Sequence, residues 1–93
     1  MGNLSAGYKL AERLKSLPLY QLERKGESNI PLAEVIFIEI LKIFNSLDFT
    51  KKVSYLGPLV LGDQLKVALK ESVGAPEVQA KIEDSIQKIN NLI

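Results

Sequence analysis

PLAEVIFIEILKIFNSL, from Pro31 to Leu47, is the stretch whose reading decides the fold. Eleven of its seventeen residues are apolar, so it carries more hydrophobic surface than any other window of the chain. At the helical increment of about 100° per residue, Glu34, Glu39, Lys42, Asn45 and Ser46 share one arc. Most apolar side chains fill the remaining arc of roughly 220°, too wide for a helix resting on a single neighbour. The pattern predicts a central helix over 31–47, with other helices on several sides and a narrow polar strip left over. Val35 and Ile38 fall inside that strip, so two apolar side chains point where a solvated face is expected.

Working towards the N-terminus, Gly26-Glu27-Ser28-Asn29-Ile30 is a loop by composition, and Pro31 suits a first helical position, where its missing N–H costs nothing. Ser28 or Asn29 is the expected cap. Before the loop, Leu4, Tyr8, Ala11, Leu14 and Leu17 recur at helical spacing with Leu10 beside them, which predicts an amphipathic helix over 4–16. Asn3 or Ser5 would cap it, and Gly7 on its apolar side would let another helix come close. Pro18 interrupts the pattern and opens either a short extra helix over 18–25, stopped by Gly26, or a kink.

Towards the C-terminus, the central helix should stop between Asn45 and Asp48. Residues 53–69 admit two readings. In one, Pro58 opens a helix with Leu61, Leu65, Ala68, Leu69 and Val73 on one face, Gly62 as a tolerated weak point and Gly74 as its end. In the other, Val53–Leu61 and Leu65–Leu69 pair as a hairpin turning at Gly62-Asp63. Helix is favoured, because Ala68, Lys70 and Glu71 are good helix formers between recognisable end signals. Pro76 to Ile93 then reads as an outer helix with a stripe of Val78, Ile82, Ile86, Ile89 and Ile93. Glu77 with Lys81 and Asp84 with Lys88 stand four apart, acid first. The expected fold is a single all-α domain, a compact four-helix bundle around 31–47.

Composition narrows the function. Ninety-three residues suffice for one domain, and a chain of this size buries about 60–65% of its unfolded surface. Leucine and isoleucine supply 24 residues while cysteine, tryptophan and histidine are absent. Stability must come from aliphatic packing. Without histidine or cysteine, the serine triad, the cysteine–histidine pair and the usual zinc sites cannot be built. Glu83-Asp84 is the single adjacent acidic pair and reads as a solvated face rather than an acid–base couple. The glycines are too scattered for a phosphate-binding loop.

The N-terminus lacks a signal-peptide core, Ala6 stands where a myristoylation site needs a hydroxyl residue, and Glu39 and Lys42 interrupt the central apolar run. A soluble cytoplasmic protein without membrane contact is expected. The abundance of Ile, Leu, Lys and Glu is compatible with a thermophilic source. Net charge is +1, divided as +3 over the first 25 residues and −2 over the remainder, which supplies no field to draw in nucleic acid. Lys51-Lys52 and Arg24-Lys25 read as solvated loop ends, with only Tyr20 and Tyr55 nearby for base stacking.

Three functional expectations follow. First is a non-enzymatic interaction module or accessory subunit that meets a protein partner through the strip around Glu34, Val35, Ile38 and Lys42. Second is a divalent-cation binder. ERKGESNIPLAE, from Glu23 to Glu34, has acids at both ends and Glu27 and Asn29 at alternate positions between two predicted helices. In that layout it resembles the EF-hand calcium loop, and the resemblance implies calcium held by Glu23, Glu27, Asn29 and Glu34. It departs from the pattern at Lys25, which takes a ligand position, at Ser28, which replaces the turn glycine, and at Glu23, which replaces an aspartate. Apart from that calcium ion no cofactor is expected. Third is a nucleic-acid role through Arg13, Lys15, Arg24 and Lys25.

Overall fold

The computed structural model describes residues 4–25, 29–47 and 53–93. Helix α1 spans Leu4–Ser16, α2 Leu19–Leu22, α3 Leu32–Ser46, α4 Leu61–Glu71 and α5 Gln79–Leu92. Single 3-10 turns at Pro58–Val60 and Pro76–Val78 lead into α4 and α5, and a third, Ser72–Gly74, follows α4. The fold is all-α, with no strand among the described residues, so the hairpin alternative for 53–69 is excluded. Four main helices and the short α2 form the expected bundle.

Helix α3 buries Ala33, Ile36, Ile40, Ile43 and Phe44 and meets α4, α5 and α2. The closest crossing lies elsewhere, between α1 and α4. These helices run antiparallel, since Gly7 faces Leu69 while Ala11 and Lys15 face Gly62. A Cβ on Gly62 would stand 2.6 Å from the Ala11 carbonyl oxygen, which real side chains do not tolerate. Gly62 is therefore a contact residue, not the weak point its helix propensity suggests. Gly7 behaves as its position on the apolar face implies, except that a Cβ there would meet the movable ends of Leu69 and Ile86. Ion pairs border the seam, Lys15 with Asp63 at 2.8 Å and Lys66 with Glu12. Hydrogen bonds from the two lysines, reinforced by their charge, hold both carboxyls below the usual range.

The stripes show where periodicity holds and where tertiary contact overrides it. Leu10, Ala11 and Leu14 of α1 are buried, as are Leu61, Leu65, Ala68 and Leu69 of α4 and Ile82, Ile86 and Ile89 of α5. Tyr8 and Val73 are exposed, Val73 because α4 ends at Glu71 and the chain tightens into a 3-10 turn before reaching it. Gly74 lies within that turn and is not an α-helical terminator. Pro31 sits at the N-cap of α3, one position earlier than expected. It has no side-chain capping bond, so Asn29 is not the cap; Ser28, Asn3 and the Gly26 stop lie outside the described residues. The Asp84–Lys88 pair forms at 3.2 Å, whereas Glu77 falls in the turn before α5 and makes no pair with Lys81.

Glu39 is the largest departure. Expected on the solvated strip, it is only 9% exposed, because it stands at the margin of the polar arc, on the side where α5 packs. Its Oε2 accepts from Lys42 Nζ at 3.1 Å, while Oε1 is buried without a hydrogen-bond partner. A buried acceptor left unpaired is unfavourable.

Two stability measurements by chemical denaturation follow. Gly62→Ala should lower stability by about 1–3 kcal/mol, since backbone must move, whereas Gly7→Ala should stay within about 1 kcal/mol of the parent because flexible side chains yield and alanine favours helix. Glu39→Leu should be neutral or stabilising by up to about 2 kcal/mol, while Lys42→Met should cost about 1 kcal/mol by leaving the buried carboxylate alone.

Candidate functional site

The reversal between α2 and α3 creates the site. Leu32 N–H donates to the Arg24 carbonyl at 2.9 Å, and Lys25 pairs with Pro31 in a single antiparallel bridge. Asn29 adopts the left-handed conformation (φ 58°), which asparagine tolerates better than most residues. This geometry lays Ile30 and Pro31 beside the first turns of α3. From the other direction, Gln64 Nε2 donates to the Ser54 carbonyl at 2.9 Å and ties the segment before α4 to that helix. Val53 packs on the core, and the Tyr55 ring lies 5.4 Å from that of Phe37, tilted by 54°.

Between these elements runs an open groove of about 330 Å³, walled by Ile30, Pro31, Phe37, Ile38 and Tyr55, with Glu34 and Asn29 as its polar residues. Ile38 is 45% exposed. Helix α2 packs on α3 through buried Leu22 but does not cover Ile38. Further along the segment from Tyr55, Leu56 and Leu59 are 70% and 72% exposed, and α2, which contacts the turn carrying Leu59, exposes Leu19 and Tyr20. Ile30, Ile38 and Tyr55 are thus exposed in the groove itself, with Leu56 and Leu59 further along the segment that carries Tyr55, while Tyr8, Val67 and Val73 are exposed elsewhere.

Of the strip residues, the structure brings Glu34 and Ile38 together in the groove. Val35 is half-buried in an adjoining depression with Arg24, Ile30, Leu32 and Leu92. Lys42 faces a different cleft, between α3 and α5, with Lys81, Asp84 and Lys88. Phe37, Ile30, Pro31 and Tyr55 are the groove residues that sequence reasoning did not pick. For Tyr55 helical periodicity holds no signal, because it lies in an irregular segment eighteen positions after Phe37.

Of the residues implied by the calcium-loop resemblance, Glu23 caps the C-terminal end of α2, Glu34 lies in the first turn of α3 and Asn29 forms the left-handed turn. Glu27 lies outside the described residues. Among the described residues no three acidic side chains gather as metal ligands. The charges of Glu34, in the groove, and of Glu23 both reach Tyr55. Its hydroxyl is pushed above the ordinary tyrosine range first by burial, then by the charges of Glu34 and Glu23. Neither carboxylate has an ion-pair partner among the described residues.

Of the residues named for a nucleic-acid role, Lys15 is paired with Asp63 and Arg24 opens into the depression with Val35 and Leu92. Lys51 and Lys52 lie outside the described residues. The Glu83-Asp84 pair is exposed, with Asp84 engaged by Lys88. Among the described residues no helix is long and apolar enough to cross a membrane. Comparison with protein-family models, curated proteins and solved structures finds no match.

The electrostatics of the groove can be read directly. Glu34→Gln should lower the ionisation midpoint of Tyr55 towards the ordinary value of about 10, leaving only the burial and Glu23 contributions. An NMR pH titration of ring-labelled tyrosine, with Tyr55→Phe to assign the signal, would check it.

Proposed function

We propose that this chain is a non-enzymatic protein-interaction module that docks a partner through the groove beside the first half of α3. The observation that carries the reading is Ile38, a large aliphatic side chain left 45% exposed on a helix whose opposite face is fully buried. It stands in a groove with apolar walls, flanked by elements that expose further apolar side chains. Apolar surface collected in one place on a small domain is what protein contacts use, whereas single exposed leucines are ordinary. Absence of histidine and cysteine removes the common nucleophile–base pairs and agrees with a binding role.

Within the expected strip this narrows the surface to Glu34 and Ile38 at its centre, with Val35 at its edge and Lys42 outside it. Phe37 and Tyr55 join as aromatic walls, a residue type enriched at binding interfaces. The pair of rings also fixes the segment carrying Leu56 against α3.

The test is Ile38→Asp. Because Ile38 is half-exposed, the substitution should leave helix content and cooperative unfolding intact, while weakening a complex recovered from the source lysate by about tenfold or more. Quantitative mass spectrometry of parallel pull-downs would read this; equal recovery of the same partner by both forms removes the groove from the interface.

A further inference from the structure

We propose that the occupant of the groove is a peptide segment of a partner protein that presents a bulky apolar side chain next to a lysine or arginine. This rests on the reading of the face as a protein-docking surface and adds what it selects. The groove's volume of about 330 Å³ is at the small end for binding pockets, the scale of one or two large side chains. Its walls, Ile30, Phe37, Ile38 and Tyr55, favour an aliphatic or aromatic anchor by desolvation.

Charge selects what stands beside the anchor. Among the described residues Glu34 is the one charged side chain lining the groove, it is exposed, and it has no ion-pair partner. The charge of Glu23, at the end of α2, reaches the same Tyr55 hydroxyl and adds to the negative potential that Glu34 sets at the aromatic wall. Arg24 opens instead into the adjoining depression with Val35 and Leu92. A cation seated at this rim gains charge-assisted hydrogen bonds to carboxylate, and a guanidinium gains the faces of Phe37 and Tyr55 as well. An acidic neighbour to the anchor meets like charge in a partly desolvated place, which complementary interfaces avoid.

The experiment is selection of a random short-peptide display library on the folded chain, with Ile38→Asp selected in parallel. Peptides enriched on the parent alone should carry Leu, Ile, Phe or Tyr adjacent to Lys or Arg. A synthetic peptide of that sequence should perturb the amides of Phe37, Ile38 and Tyr55 saturably, and Glu34→Lys should weaken it about tenfold or more. Enriched peptides without a basic residue, or binding indifferent to Glu34→Lys, overturn the proposed occupant and leave the docking surface standing. A concentration-dependent dimer that Ile38→Asp abolishes makes a second copy the occupant and overturns the proposal likewise. No enrichment on the parent over Ile38→Asp, with no groove amide perturbed by an apolar-basic peptide, overturns both readings.

Discussion

The contact on which the structure depends is the approach of α1 to α4 at Ala11 and Gly62. There is no room for a β-carbon between them, so at this point the two helices meet backbone to backbone rather than side chain to side chain. That closeness, repeated less tightly at Gly7, draws Leu10, Leu14, Leu65 and Leu69 into one core and sets the paired charges along its edge. Helix α3, which carries the most hydrophobic surface, packs on the platform so formed through α4 and α5. The helix that is most apolar and the pair that is closest are therefore different elements.

One consequence reaches the candidate site. With α4 held against α1, its Gln64 fixes Ser54, and the irregular segment before α4 is laid across the outer side of α3. Helix α5 packs along α3 beside Lys42, Asn45 and Ser46, and Glu39 is buried. Among the described residues, the face of α3 around Glu34 and Ile38 is left open between them. An apolar groove on this small domain is thus a product of where the neighbours of α3 stop, and α2, a single turn, is too short to close it.

The burial of Glu39 beside the exposure of Ile38 is an exchange across the same helix. A hydrophobic-in, polar-out arrangement would reverse them. Placing a carboxylate on the α5 side costs desolvation, partly offset by Lys42, which keeps its ammonium half in water. Leaving Ile38 out forgoes the gain of burying it. Such a departure from local preference concentrates at surfaces that serve something besides folding, and here it falls beside the groove.

Much of the architecture was legible in the sequence because helices announce themselves locally. Spacing at three and four residues located α1, α3 and α5, helix propensity and end signals favoured α4 over a hairpin, and Pro18, Pro31, Pro58 and Pro76 marked the places where helices or their leading turns begin. Spacing also marked Glu34, Val35 and Ile38 as an anomalous strip, because helical phase is a property of the segment alone. Tertiary structure decided the rest: that Gly62 is a contact, that Glu39 is buried while Ile38 is open, and that Tyr55 stands on Phe37. Each of these depends on which neighbour arrives at a given face, and that is set by packing between residues far apart in the chain, which periodicity within one helix does not encode.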